Sequence, residues 1–223
     1  MQTFFITGTD TDAGKTYVAV ALLQGLKALG YRTVAQKPVA AGVNGSGFNT
    51  DALQLQQYAT EALSYELVNP ICLTDAVAPH LAAAKAGLCI DPIILTKELQ
   101  KIQSVDADIA LVEGAGGWLL PLDDKTTMAD WLTEQQLPVL LVVGMKLGCL
   151  NHALLTVREI EHSGLKLLGW VANCIDPDMA YQQENIRYLQ QKLTVPCLGI
   201  LPYQSEPRIN TSLAAALIKQ MQS

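Results

Sequence analysis

Apolar residues in this chain gather in short blocks, and most blocks are followed by a longer stretch with apolar positions at helical spacing. The pattern predicts strands over 3–7, 32–37, 109–113, 138–143, 167–172 and 197–201. It predicts helices over 15–29, 50–58, 79–86, 91–103, 128–136, 150–162, 180–192 and 211–221. Gly30 and Gly164 stop two of these helices, and Asp91 followed by Pro92 gives a third its cap and first position. Residues 38–49 are rich in Gly, Asn and Ser and read as a loop. The blocks near 109, 138 and 167 are almost wholly Val, Ile and Leu, without alternation. Such runs belong to strands buried on both faces, as in a parallel sheet covered by helices. Strand–helix alternation leads to the same expectation: a doubly wound α/β fold with helices on both faces. No repeat, low-complexity tract or linker divides the chain, so one domain over 1–223 is expected.

Composition narrows the class. Half of the residues (50%) are hydrophobic and only 16% are charged, which excludes a disordered chain. The net charge of -6 and the lack of a basic run make nucleic acid and anionic membranes poor partners. Cys72, Cys89, Cys149, Cys174 and Cys197 are odd in number and form no C-x-x-C, as expected of small hydrophobes in a reducing compartment. No targeting segment or spanning run is visible, so the expected location is the cytoplasm.

The strongest chemical signal is Gly8-Thr-Asp-Thr-Asp-Ala-Gly14-Lys15-Thr16, which follows an apolar strand and opens a helix. Backbone N–H groups of such a turn, aided by the helix dipole, suit a polyphosphate. Lys15 would pair with the β- and γ-phosphates, and the Thr16 hydroxyl would ligate Mg²⁺. The loop is one residue longer than the usual G-x-x-x-x-G-K-[ST], since five residues separate Gly8 from Gly14. Glu113 ends an apolar strand and precedes Gly114-Ala115-Gly116-Gly117, so its carboxylate can reach a metal while the glycines let a ligand approach. Asp51 reads equally as a ligand or as an acid at a helix start. Lys37 ends the second strand, where α/β sheets bind ligands, but by itself it also reads as a solvated strand-end lysine.

Further blocks carry a resemblance. Lys-Pro-Val-Ala (37–40), Val-Glu-Gly-Ala-Gly-Gly-Trp (112–118), Ala-Asp-Trp (129–131), Val-Gly-Met-Lys-Leu-Gly-Cys-Leu-Asn-His-Ala (143–153) and Gly-Trp-Val-Ala-Asn (169–173), together with the phosphate loop, resemble the dethiobiotin synthetase family. The matches run in order over essentially the whole chain. The resemblance implies a P-loop NTPase-type fold and an ATP-dependent cyclo-ligase of biotin biosynthesis. Such an enzyme closes the ureido ring of dethiobiotin from 7,8-diaminononanoate, CO₂ and MgATP, through a carbamate and a carbamic–phosphoric anhydride. It places Lys37, Lys15 and Thr11 at the reaction, and Thr16, Asp51 and Glu113 on Mg²⁺. It assigns the nucleotide to Asp12, Ala13, Gly14, Lys15, Thr16, Tyr17, Asp51, Glu113, Gly114, Ala115, Gly116, Asn173, Pro202 and Glu206, with Asn173 reading the adenine edge. It assigns the substrate to Lys37, Ala41, Gly116, Gly148, Cys149, Leu150 and Asn151. The last four come from a neighbouring subunit in the family, which implies a homodimer with shared sites. Asn151 reads equally as a helix N-cap. Two positions depart from the family: Ala41 stands where Ser is frequent, and Asp12 where Glu is common.

Other readings have less support. Septum-site and partitioning ATPases share a deviant phosphate loop, but they carry an early lysine at the position held here by Asp10, and the last helix lacks a basic amphipathic face. An amidotransferase synthetase would need a glutaminase domain for which 223 residues leave no room. His80, His152 and His162 lack ligand spacing for zinc, and no Gly-x-Ser-x-Gly elbow is present. Cys149 near a helix start is expected to have a lowered thiol pKa, though its role is packing. Trp118 and Trp131 are expected to wall the site or fill the core.

Overall fold

The computed structural model describes residues 1–204 and 206–223. In chain order it contains β1 (Gln2–Gly8), α1 (Lys15–Ala28), β2 (Thr33–Gln36), β3 (Val39–Ala41), α2 (Thr50–Tyr58), α3 (Tyr65–Val68) and β4 (Ile71–Leu73). There follow α4 (Pro79–Lys85), α5 (Pro92–Gln103), β5 (Ile109–Glu113), α6 (Met128–Gln135), β6 (Val139–Gly144) and α7 (Cys149–His162). The chain closes with β7 (Leu167–Asn173), α8 (Gln182–Lys192), β8 (Cys197–Leu201) and α9 (Thr211–Gln222).

Six strands form one sheet in the order β2-β5-β1-β6-β7-β8, and every pairing is parallel. Every residue of β5, β6 and β7 is buried, as their unbroken apolar runs require. Successive side chains alternate between two covers. Phe5, Val112, Leu141, Val143 and Trp170 point into the layer built from α5, α6, α7 and α8. Phe4, Ile6, Leu111, Val142 and Val171 point into the layer built from α1, α2 and α9. Trp118 and Trp131 both belong to the first of these clusters. Among the described residues no helix is long and apolar enough to cross a membrane.

β1 sits mid-sheet, so the turn after it opens at the carboxyl ends of the strands, where the strand order reverses. Asp10 starts this turn by accepting the Thr11 N–H at 2.8 Å, and a short 3₁₀ segment over Thr11–Ala13 follows. Gly14 then adopts φ 82°, a left-handed conformation that a side chain disfavours. A Cβ there would also collide with Asn173 Nδ2. The glycine therefore lets the loop pack against the end of β7 while α1 starts at Lys15.

Several local expectations need correction. The stretch 38–49 is not all loop: Val39–Ala41 forms β3 and pairs in parallel with β4. These two short strands and α3 show no readable periodicity, because three or four residues span barely one repeat. The α7 cap is Gly148 (φ 95°), and Asn151 lies inside the first turn. The α8 helix starts at Gln182 after Tyr181 turns left-handed at φ 54°, later than the apolar spacing suggests.

Candidate active site

The open end of the sheet carries a cleft of about 840 Å³. Thr11, Asp12, Gly14, Lys15 and Thr16 line it, together with Lys37, Ala41, Asp51, Ala115 and Gly116. The sequence thus located most of the cleft. It missed the wall formed by Ala76, Val77, Ala78 and Pro79 and by Leu119, Leu120 and Pro121. No chemical motif marks those residues. Asn49, also in the lining, had a readable signal: it precedes Thr50-Asp51 as a helix cap, and its side chain accepts the Ala52 N–H at 3.1 Å.

Charge is concentrated around Lys37. Lys37 is 3% exposed and Glu113 0%. Lys37 Nζ donates to Glu113 Oε1 at 2.7 Å, donates to the Gly114 carbonyl at 3.3 Å, and lies 3.3 Å from Asp51 Oδ2. Thr16 Oγ1 donates to the same Glu113 oxygen at 2.8 Å. Burial alone would push the Lys37 ammonium down, but the two carboxylates outweigh it and raise its pKa. Lys37 is therefore a fixed cation, and the reading of a solvated strand-end lysine is set aside.

Lys15 is held differently. Its Nζ donates to the carbonyls of Gly116 (2.7 Å), Thr11 (3.1 Å) and Asp10 (3.4 Å). Burial, followed by repulsion from Lys37, pushes its pKa down to about 8. Among the described residues this ammonium has no direct anionic partner, and a phosphate group would supply one. The N–H groups of the first turn of α1 have no partners within the helix and add donors on the same side.

Thr16, Asp51 and Glu113 offer hard oxygen donors of the kind Mg²⁺ prefers. Glu113 Oε2 is buried and lacks a hydrogen-bond partner among the described residues. An orphaned buried carboxylate oxygen beside a threonine hydroxyl is an unmet acceptor that a cation would satisfy. The residues present therefore fit that metal.

Ala13, Tyr17, Glu113, Gly114, Asn173, Pro202 and Glu206, also named from the sequence, do not line the cleft. Ala13 is buried, and its carbonyl accepts Asn173 Nδ2 at 3.0 Å. Tyr17 Oη donates to the Glu206 carbonyl at 3.3 Å, which places Glu206 beside the first turn of α1, and Pro202 and Glu206 are both exposed. Gly148, Cys149, Leu150 and Asn151 do not line the cleft of their own chain. Leu147, just before them, is 95% exposed. Cys149 corrects an expectation: burial raises its thiol pKa despite the helix start, because its side chain is packed in the core. Lys146 Nζ meets Asp10 Oδ2 at 2.9 Å and, with the Thr11 N–H, holds that carboxyl below its usual range.

A parallel sheet whose first strand feeds a glycine turn, a helix-opening lysine and a neighbouring strand-end carboxylate has the P-loop NTPase fold. Residues 2–208 match a family model described as an AAA domain. The septum-site-determining protein MinD of Pyrococcus horikoshii, solved with Mg-ADP, has the same fold, with a TM-score of 0.58 at 17% identity over 99% of this chain and 95% of that one. Sequence similarity resolves the family within that fold. The chain is 48% identical over 206 residues to an ATP-dependent dethiobiotin synthetase of Yersinia pestis bv. Antiqua (strain Angola), covering 91% of this chain and 85% of the relative. It is 50% identical over 208 residues to that of Cellvibrio japonicus (strain Ueda107), covering 90% and 89%. The chain belongs to the dethiobiotin synthetase family.

Proposed function

We propose that this protein is an ATP-dependent ligase of biotin biosynthesis that forms dethiobiotin from 7,8-diaminononanoate and CO₂. The observation that carries this reading is the buried Lys37 ammonium, fixed between Glu113 and Asp51 beside the phosphate loop. One substrate amine adds to CO₂ and loses a proton, giving a carbamate. A carbamate oxygen attacks the γ-phosphorus, and ADP leaves. The second amine attacks the carbonyl of the mixed anhydride, the C–O bond to phosphate breaks, and the ring closes with loss of a proton. Lys37 meets the carbamate and the γ-phosphate, where charge moves between oxygens. Lys15 turns from its carbonyl cradle onto the phosphates, and Thr11 and Asp12 border the reacting groups. Thr16, Asp51 and Glu113 would hold Mg²⁺, which supplies neutralisation of phosphate charge. Asn173 has its amide nitrogen on the Ala13 carbonyl, leaving Oδ1 to accept from the adenine amine, with Pro202 and Glu206 on the outer side of the nucleotide. Ala41 leaves a backbone contact to the substrate in place of a hydroxyl.

Gly148–Asn151 of a second subunit would complete the cleft, its helix-start N–H groups holding the substrate's carboxylate tail. The exposed Leu147 suits such a contact. The functional unit is thus a homodimer of one-domain chains, and the five free cysteines suit the cytoplasm.

The test is ADP release with MgATP and bicarbonate, with and without 7,8-diaminononanoate, with mass spectrometry for dethiobiotin. ADP dependent on the diamine, together with dethiobiotin, is expected. Turnover indifferent to the diamine would overturn the reading in favour of a partner-driven ATPase.

The lowered Lys15 pKa gives a separate expectation. The free protein has lost part of this proton near pH 8, and a bound polyphosphate raises the pKa and restores it. MgATP binding should therefore take up about half a proton per site at pH 8 and almost none at pH 6.5. Calorimetry in buffers of different ionisation enthalpy reads this uptake. Identical apparent enthalpies at pH 8 would contradict it.

A further inference from the structure

Lys37 and Asp51 come from different elements, yet their charged groups are 3.3 Å apart. Their spacing depends on how the end of β2 is held against the start of α2. Three residues outside the proposed chemistry make that connection. The Lys37 main chain is gripped on both sides by the end of α3: its N–H donates to the Val68 carbonyl at 2.7 Å, and its carbonyl accepts Asn69 Nδ2 at 2.6 Å. The Asn69 side chain is therefore oriented with Oδ1 outward, and Oδ1 accepts the Tyr65 hydroxyl at 2.9 Å. The same Tyr65 oxygen accepts the Asn49 N–H at 2.8 Å. Asn49 caps α2 through the Ala52 N–H, and Asp51 stands in the first turn of that helix. The bonds close a ring: Lys37 main chain, Asn69, Tyr65, Asn49, the α2 start, Asp51 and back to Lys37 Nζ.

The donors are consistent around this ring. Tyr65 gives its one proton to Asn69 and takes one from Asn49, and Asn69 gives an N–H to Lys37 and accepts at Oδ1. Asn69 is 2% exposed, so a broken link would leave polar groups without water to replace it. The Tyr65 ring is seated edge-on against Phe48, with centroids 4.6 Å apart, which holds the hydroxyl in place independently of its hydrogen bonds.

We infer that Tyr65 and Asn69 are positioning residues which, through this hydrogen-bonded ring, set the distance between the Lys37 ammonium and the Asp51 carboxylate and thereby the geometry of the cation site. The inference rests on the proposed roles of Lys37 and Asp51. Tyr65 and Asn69 themselves touch no reacting group.

Tyr65→Phe removes the hydroxyl and keeps the ring. Asn69→Asp keeps the acceptor for Tyr65 but loses the donor to Lys37. Each should weaken Mn²⁺ binding in the presence of ADP, read by electron paramagnetic resonance, by about 10-fold or more. Each should also lower kcat for dethiobiotin and, by linkage, raise KM for MgATP, while the affinity for metal-free ADP stays within about twofold because the phosphate loop is untouched. The double variant should be no worse than the poorer single one, since either change breaks the same ring. Tyr58→Phe, a partly buried tyrosine packed against the core, should match wild type.

Wild-type Mn²⁺ affinity and kcat in Tyr65→Phe, or losses that multiply in the double variant, would overturn the inference. Thermal melts identify any variant that fails to fold. If Tyr65→Phe does not fold, Asn69→Asp decides, and Asn69→Ser replaces it if it too fails. If wild type makes no dethiobiotin, the functional reading fails, while the Mn²⁺ measurement still decides the ring.

Discussion

Lys37→Ala is expected to lower kcat for dethiobiotin formation by on the order of 10³-fold, the scale of losing a preorganised charge stabiliser in a water-poor site. KM for ATP should change little, because Lys15 and the helix-start N–H groups remain. The burial of Lys37 makes the effect large: at 3% exposure its charge is poorly screened, and water cannot take its place. The substitution also leaves Glu113 buried, with Thr16 as its remaining side-chain donor. Breaking a buried pair by deleting one partner typically costs about 3–5 kcal/mol, so the melting temperature should fall as well. Assays well below that temperature separate the two effects. Retention of more than a tenth of wild-type kcat would remove Lys37 from the chemistry.

Glu113→Gln should be nearly as damaging through a different route. The amide keeps the shape and still offers an oxygen to Lys37 and Thr16, but it places an NH₂ where the orphaned Oε2 now lies. That group repels a cation. Loss of several kcal/mol of metal-assisted charge stabilisation corresponds to about 10²–10³-fold in kcat. The distinguishing readout is thermal: MgADP should stabilise wild type more than ADP with a chelator does, and the variant should show no difference between the two. The stability cost should be smaller than for Lys37→Ala, because Lys37 keeps Asp51 at 3.3 Å. A variant that keeps the magnesium-dependent shift would show that Glu113 is not a ligand.

The two residues were unequally legible. Glu113 announced itself as a carboxylate ending an apolar strand before a glycine run. Lys37 did not: taken alone it reads as a solvated strand-end lysine, and only the resemblance raised it. Its real environment depends on β5 lying beside β2, which brings Glu113 to it across 76 positions of sequence. Asp51 was ambiguous for a sound reason, since it is a helix-start acid on α2 and also a neighbour of Lys37.

Cys149 and Asn151 show where local rules fall short. Proximity to a helix start argued for a lowered thiol pKa, but burial dominated. A capping residue type at 151 suggested a cap, but the left-handed turn at Gly148 starts the helix three residues earlier.

By itself, the sequence determined the parallel sheet, its two helical layers, the phosphate turn and the acid facing it. These features rest on contiguous residues or on periodicity that extends through whole elements. Tertiary structure alone decided the pairing of β3 with β4, the apolar wall of the cleft, the Lys37–Glu113–Asp51 cluster and the Tyr65–Asn69 ring. Each of these arises where short segments distant in sequence meet, and there hydrogen-bond complementarity and burial are set by the packing of the sheet, with no local pattern to reveal them.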